Sequence, residues 1–216
     1  MVEKRVKRIE EILLKKQPDL QILLDNVHSS QNLSAIIRSC DAVGVLHLYY
    51  AAQEERDLRI HKTITQGAHR WVERKRVDEG EKVSFLKQKR EEGFQVVVTH
   101  LTQQAVSFRE VDYTLPTMLV VGNEKEGVSE EILEVADSVV LIPMQGMVQS
   151  LNVSVATALI LYEAQRQLEL VGKYSTPELS ESQREEMRDR WIHRDYIARR
   201  SKGRIEEQQS LSIDSF

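Results

Sequence analysis

Residues 94–99 read F-Q-V-V-V-T, a run whose side chains favour a buried β-strand. Comparable runs occur at 20–24 (L-Q-I-L-L), 45–51 (V-L-H-L-Y-Y-A) and 117–121 (T-M-L-V-V). They are mostly continuous apolar runs rather than alternations of apolar and polar residues, so both faces of each strand are expected to be buried. Helical patterns lie between them, which predicts an α/β fold with a parallel sheet covered by helices.

The composition excludes several classes of protein. The chain has 216 residues, a formal net charge of −4 and a single cysteine, Cys40, so an intramolecular disulfide framework is excluded. The first residues are charged and show no signal-peptide pattern. No apolar run approaches the ~18 residues that a membrane span needs. We therefore expect a cytoplasmic protein of one main domain that makes no contact with a membrane.

The mild acidic excess conceals three basic blocks. Residues 1–16 carry 6 basic and 3 acidic side chains, residues 61–90 carry 9 and 4, and residues 184–204 carry 8 and 4. One such block is usually a solvated helix face. Phosphate binding depends on local cation density rather than on net charge, so three blocks together favour a polyanionic partner.

Common nucleotide-binding and hydrolase motifs are missing from the sequence. There is no G-x-G-x-x-G after a strand, no G-x-x-x-x-G-K-[ST] and no G-x-S-x-G. The histidines at 61, 69, 100 and 193 lack the spacing of metal ligands, so no metal site is predicted. Ligands of open α/β sheets bind at the carboxyl ends of strands, which directs attention to the residues that follow each run.

Three polar clusters stand out. The first is N-L-S-A-I-I-R at 32–38, which alone indicates only a helix with one exposed arginine. The second is V-V-G-N-E-K-E-G-V-S at 120–129, where two glycines bracket polar residues between a strand and a helix. The third is I-P-M-Q-G-M-V-Q-S-L-N-V-S-V-A at 142–156, where Ser150 could cap the following helix and Asn152 is not explained by capping alone.

Taken together and in this order, the clusters closely resemble the three motifs of the SpoU branch of the SPOUT RNA methyltransferases. The resemblance implies an α/β fold with a C-terminal deep trefoil knot, a rare exception to the rule that protein chains are not knotted. It also implies a homodimer and an S-adenosylmethionine cofactor. The cofactor positions that it implies are Thr99, His100, Leu101, Gly122, Asn123, Ile142, Met144 and Leu151.

The resemblance also implies the catalytic residues. Arg38 matches the catalytic arginine, Asn32 would orient it or the ribose, and Glu124, Ser150 and Asn152 would complete the pocket. A ribose hydroxyl is a poor nucleophile, but a guanidinium is normally always charged. Two roles for Arg38 therefore stay open: a general base, or a clamp that stabilises the developing oxyanion and binds phosphate.

The segments that flank the motifs resemble those of the family's tRNA methyltransferases. This implies methylation of the ribose 2′-hydroxyl of guanosine 18 in the tRNA D-loop. The alternatives are a ribosomal RNA ribose methyltransferase, which usually carries a separate RNA-binding domain before the catalytic one, and a non-catalytic RNA-binding relative.

We expect a basic N-terminal helix at 1–19, a catalytic domain at 20–172, and an Arg-rich helical extension with a disordered tail at 173–216. The two flanks are predicted to bind tRNA through five arginines: Arg5, Arg8, Arg194, Arg199 and Arg200. Trp191, His193 and Tyr196 could stack on bases or could instead pack the helix.

Overall fold

The computed structural model describes residues 2–51, 59–123 and 126–213. They contain seven strands: β1 (Leu20–Asp25), β2 (His47–Ala51), β3 (Glu73–Val77), β4 (Gln95–Thr99), β5 (Val106–Ser107), β6 (Thr117–Val121) and β7 (Ser138–Leu141). They also contain seven α-helices: α1 (Val2–Leu13), α2 (Ser30–Ala42), α3 (Lys62–Thr65), α4 (Lys82–Glu91), α5 (Glu130–Leu133), α6 (Val153–Leu170) and α7 (Glu181–Ile213). Within these residues, no helix is long and apolar enough to cross a bilayer.

The sheet is parallel, as the apolar runs predicted. Its strand order is β3-β2-β1-β6-β4-β7-β5, and every paired strand runs parallel to its neighbour. The run F-Q-V-V-V-T forms β4, between β6 and β7. The short strand β5 was not predicted, because two residues carry too little pattern to be recognised.

Each central strand is buried on both faces. Ile22 and Leu24 of β1 pack in a cluster with residues of α2 and α6. Leu23, which points to the other face, packs in a second cluster with Leu86 of α4 and Ile132 of α5. This explains why β1 is apolar without alternation: neither face of the strand meets water.

The chain divides into two compact units. One contains residues 15–178, and therefore the whole sheet; the other contains residues 1–14 and 179–216. In the second unit α1 pairs with α7 through an ion pair of 3.2 Å between Arg5 and Asp195 and one of 3.6 Å between Arg188 and Glu10. The division into functional segments at residues 19 and 172 remains a prediction.

The end of the chain corrects one prediction. A disordered tail was expected after about residue 205, but α7 continues to Ile213. The segment E-E-Q-Q at 206–209 consists of good helix formers, so an existing helix can extend through it. Low hydrophobicity misled the prediction, because it removes the reason to pack but not the ability to form a helix.

Candidate active site

One cavity lies at the carboxyl ends of β4, β6 and β7. Its volume is about 270 Å³. All eight residues predicted to bind the cofactor line it: Thr99, His100, Leu101, Gly122, Asn123, Ile142, Met144 and Leu151. The three strands are neighbours in the sheet, so the loops that follow them meet although they lie up to 52 residues apart in the chain.

The cavity wall includes residues that the prediction missed. Gly127, Gln149 and Ile160 also line it. Gly127 has a φ of +73°, and a Cβ atom there would lie 2.8 Å from Nδ1 of His100. The second glycine of the G-N-E-K-E-G motif was quoted in the sequence but given no role. Its place opposite His100 is a consequence of the folded loop.

The loop that contains Gly122 folds back tightly on itself. The backbone N–H groups of Asn123 and Gly127 each donate to the other residue's carbonyl oxygen, at 2.8 and 2.9 Å. A Cβ atom at Gly122 would lie 2.2 Å from the backbone of Gly127. Only glycine lets the two sides approach this closely. Glu124, one of the predicted catalytic residues, lies outside the described residues.

A polar contact joins the first and third motifs. Nδ2 of Asn152 donates to Oδ1 of Asn32 at 3.1 Å. Oδ1 of Asn152 also accepts from the backbone N–H of Ser154 at 2.8 Å, so Asn152 is the N-cap of α6. Ser150, which the sequence offered as a possible cap, instead lines the cavity. Asn152 therefore connects the start of α6 with α2.

Arg38 lies on the exposed side of α2. Its Nη1 donates to the carbonyl oxygen of Ile64 in α3, at 3.3 Å. The helix begins after Ser29, whose hydroxyl accepts from the N–H of Asn32 at 3.2 Å and so caps it. The apolar residues Ile36 and Ile37 are fully buried, which directs the guanidinium of Arg38 to the surface.

A buried ion network stabilises the loop that contains Gly122. Nζ of Lys82 lies 3.2 Å from Oδ1 of Asp25 and 3.1 Å from Oε1 of Glu131, and both the Lys82 and Asp25 side chains are at most 3% exposed. Burial acts to lower the pKa of Lys82, but Glu79, Glu131 and Asp25 outweigh it and raise the pKa above its ordinary value. The lysine is therefore charged.

Asp25 connects this ion network to the loop that contains Gly122. Its Oδ2 accepts from the backbone N–H of Ser129 at 2.9 Å, and the carbonyl oxygen of the next residue, Asn26, accepts from Nδ2 of Asn123 at 2.9 Å. No role for Asp25 or Asn26 was predicted from the sequence. Their role depends on Lys82, which is 57 residues away along the chain.

The arginines predicted to bind RNA all lie in the second unit, where they contact other residues. Oδ1 and Oδ2 of Asp195 accept from Arg5 at 3.2 Å and Arg199 at 2.9 Å. Arg8 pairs with Glu11 at 3.2 Å, the guanidinium of Arg200 lies 5.9 Å from the ring centroid of Tyr196, and Arg194 is half-buried. Arg5 therefore holds α1 to α7 through Asp195, whereas Arg199 holds the same carboxylate from within α7.

The aromatic residues of α7 separate into two kinds. Trp191 is fully buried, so its ring packs against protein. Tyr196 and His193 are exposed and remain available for stacking. Among residues 2–51, 59–123 and 126–213, no group of three His, Cys, Asp or Glu side chains is placed to hold a metal ion.

Known proteins resemble this chain over most of its length. The tRNA (guanosine(18)-2′-O)-methyltransferase of Aquifex aeolicus is 52% identical over 202 residues, which cover 94% of this chain and 95% of that protein. The crystal structure of the A. aeolicus TrmH/SpoU tRNA modifying enzyme superposes with a TM-score of 0.86 and 54% identity, covering 90% of this chain and 98% of that one.

A more distant structure binds a cofactor. The AdoMet-bound rRNA methyltransferase of Sinorhizobium meliloti superposes with a TM-score of 0.63 at 30% identity, covering 74% of this chain and 60% of that one. The profile of the SpoU rRNA methylase family matches residues 19–162, which include the whole sheet and all three motifs. The chain therefore belongs to the SpoU rRNA methylase family.

Proposed function

We propose that the protein transfers a methyl group from S-adenosylmethionine to the ribose 2′-hydroxyl of guanosine 18 in tRNA. The observation that carries this proposal is the convergence of the second and third motifs on one cavity, with the first motif joined to its rim through Asn32 and Asn152. The relative with 52% identity, matched over 95% of its length, is named for this reaction.

The cavity suits the cofactor chemically. Leu101, Ile142 and Leu151 supply apolar walls, and the glycines at 122 and 127 expose backbone groups. This combination fits adenine, which needs an apolar slot and a few fixed hydrogen bonds. Nδ1 of His100 is buried at the cavity and has no hydrogen-bond partner in the described part of the chain, so it is placed to receive one from a ligand. The bound cofactor supplies an electrophilic methyl group.

Arg38 acts on the nucleophile in this proposal. Its guanidinium is exposed, and its planar donors can bind a backbone phosphate while stabilising negative charge on the ribose 2′-oxygen. This role requires no loss of the arginine's proton. The proton of the hydroxyl passes to water or phosphate. The hydrogen bond between Asn152 and Asn32 ties the start of α6 to α2, the helix that carries Arg38.

Arg38→Ala should lower turnover at least ~10²-fold while cofactor binding survives. Arg38→Lys keeps the charge but not the planar fork, so it should recover only part of the activity. Single-turnover kinetics with saturating cofactor measure both variants. Near-normal turnover of Arg38→Ala would remove this residue from the chemistry.

We infer a trefoil knot in the C-terminal half. The chain between β4 and β6 is tied to α6 by two hydrogen bonds: the N–H of Tyr113 donates to Oε1 of Gln167 at 2.8 Å, and Nε2 of Gln167 donates to the carbonyl of Val111 at 3.0 Å. This fits passage of α6 through the loop formed by residues 100–116. Slow refolding of a fully unfolded chain, measured by fluorescence, is the expected consequence.

We also infer a homodimer. Val155, Leu159 and Tyr162 recur at i, i+4 and i+7 on α6 and are 43–53% exposed, and Met147 in the preceding loop is fully exposed. Apolar stripes of this kind mark protein interfaces. Sedimentation equilibrium should give twice the chain mass of 25.0 kDa; a monomer at all concentrations would contradict the inference.

We propose that the arginines of α1 and α7 bind tRNA and that the enzyme acts in the cytoplasm with its substrate. Arg200→Ala tests this role better than Arg199→Ala, because Arg199 also holds the buried Asp195. Loss of one phosphate contact should lower the salt slope of tRNA binding by about 1. An unchanged slope would count against the helix as an RNA arm.

The function is tested by incubating the purified protein with labelled S-adenosylmethionine and unmodified tRNA. Mass spectrometry should locate a single methylated ribose at guanosine 18. Methylation of ribosomal RNA instead would favour the alternative activity of the family. Cofactor binding without methylation of either RNA would overturn the catalytic proposal.

A further inference from the structure

In the unit of residues 15–178, positive charge is concentrated in one segment, and this segment has no role in the proposed function. Residues 59–77 contain six basic side chains and one acidic one, Glu73. The segment runs through α3 and a short 3-10 helix, Ala68–Arg70, into β3. A basic run is often only a solvated surface, so the role of this segment depends on where its side chains point.

The register of β3 divides its cations between the two faces of the sheet. Arg74 and Arg76 pair with Leu48 and Tyr50 of β2, whereas Lys75 pairs with Tyr49. Side chains of neighbouring parallel strands at paired positions share a face. All three cations of β3 are exposed.

The two faces are covered by different helices. Leu48 belongs to the core cluster that contains Ile36 and Ile37 of α2. Tyr49 belongs to the other cluster, together with Leu86 of α4. Arg74 and Arg76 therefore lie on the α2 side of the sheet, and Lys75 lies on the α4 side. Since β3 is the end strand, no further strand of the sheet covers these positions.

Arg38 lies on the same side. It projects from α2, and its Nη1 contacts the carbonyl of Ile64 in α3 at 3.3 Å. Lys62, at the start of α3, is exposed as well. The short helix α3 thus connects the proposed catalytic arginine with the basic segment.

His69 shows that the cations of this segment converge. Burial lowers the pKa of its imidazole, and the positive charges of Arg70, Arg74 and Lys62 lower it further. Residues from α3, the 3-10 helix and β3 therefore act on one point. The imidazole is held there by a contact of 2.8 Å between its Nδ1 and Oγ1 of Thr65.

We propose that these side chains form one RNA-binding surface, the cationic face, which holds the tRNA backbone beside the target ribose; its members are Arg38, Lys62, Arg70, Arg74 and Arg76. This inference rests on the proposed function and adds a substrate-binding surface in the catalytic unit to the two flanking helices. Four of the five are arginine, whose planar fork matches phosphate.

A simpler explanation for charge on β3 is protection of an end strand against pairing with another chain. That explanation treats both faces alike, so Lys75 would matter as much as Arg74. If these cations bind RNA, only those on the same side of the sheet as Arg38 should contribute to binding. Because side chains along β3 alternate between the two faces, Lys75 serves as a control for Arg74 and Arg76.

The test compares Arg74→Ala/Arg76→Ala with Lys75→Ala/Lys87→Ala. Both variants remove two exposed cations; Lys87 lies on α4, the helix of the opposite face. Binding of unmodified tRNA is measured by filter assay between 50 and 200 mM salt, with cofactor affinity and thermal unfolding measured alongside. Arg74→Lys/Arg76→Lys serves as the conservative variant.

Each phosphate contact contributes about 0.7 to 0.9 to the slope of log affinity against log salt. The loss of two contacts should therefore reduce the slope by about 1.5, so that the advantage of wild type over Arg74→Ala/Arg76→Ala shrinks about tenfold across this salt range. The lysine variant should keep most of the slope, and the Lys75/Lys87 variant should keep nearly all of it.

Two results would overturn the inference. One is an unchanged salt slope in folded Arg74→Ala/Arg76→Ala. The other is an equal loss in the Lys75/Lys87 variant, which would indicate a general effect of charge. If the Arg74/Arg76 variant does not fold, Lys62→Ala on α3 is compared with Lys75→Ala, since each removes one exposed cation. Wild type that fails to bind tRNA at all would instead reject the proposed function.

Discussion

Gly122→Ala should distort the cavity that we propose binds the cofactor, without unfolding the sheet. The added Cβ would lie 2.2 Å from the carbonyl carbon and oxygen of Gly127 and 2.4 Å from the N of Val128, where real Cβ atoms stay beyond 3.0 Å. All three atoms belong to the backbone, so no side-chain rotation relieves the clash. The two sides of the loop must move apart by about 0.8 Å.

This movement breaks identifiable interactions. The paired hydrogen bonds between Asn123 and Gly127, at 2.8 and 2.9 Å, cannot both survive it. Their loss costs about 2 kcal/mol, and the remaining overpacking costs about 1–3 kcal/mol. If about 3 kcal/mol of this cost destabilises the conformation that binds the cofactor, the affinity for S-adenosylmethionine falls on the order of 100-fold.

Calorimetric titration with S-adenosylmethionine measures the affinity, and circular dichroism measures whether the fold remains. Gly80→Ala is the matched control, because a Cβ there meets no atom within 4 Å. It should bind the cofactor as wild type does. A folded Gly122→Ala variant with unchanged affinity would refute the argument that close backbone approach at this glycine shapes the cavity.

Substitutions of Lys82 and Asn152 distinguish effects on stability from effects on catalysis. Lys82→Met leaves the buried carboxylate of Asp25 without its cation, so the free energy of unfolding, measured by urea titration, should fall by about 3–5 kcal/mol. Lys89→Met on the same helix is the control. A loss below 1 kcal/mol, or a loss no larger than that of the control, would contradict the role of this ion network. Asn152→Ser keeps an oxygen that can cap α6 but loses the amide that reaches Asn32. Its melting temperature should stay close to wild type while turnover falls, whereas Asn152→Ala should also lose about 1 kcal/mol of stability. Normal turnover of the serine variant would show that the amide contact is dispensable.

The sequence was most informative where local pattern and fold require the same thing. Continuous apolar runs such as F-Q-V-V-V-T identified the buried parallel strands, because only a strand covered on both faces lacks polar alternation. The rule that ligands bind at carboxyl ends of strands selected the residues after β4, β6 and β7. The resemblance to the SpoU branch then named eight positions, and all eight line one cavity.

The sequence failed where the deciding partner is distant or the pattern is short. The strand β5 has two residues. The N-cap of α6 is Asn152, whereas the sequence offered Ser150 as a possible cap, because both are suitable residue types. The tail was called disordered although α7 runs to Ile213. In each case local composition allowed more than one outcome.

The sequence by itself determined the elements, the motifs and the separation of an acidic body from basic blocks. Only the tertiary structure decided which of these meet. Lys82 supports the Gly122 loop through Asp25, 57 residues away, because a buried charge must find a counter-charge wherever the fold brings one. Arg74 and Lys75 are neighbours in sequence but lie on opposite faces, because strand register, not composition, sets which cation shares a side with Arg38.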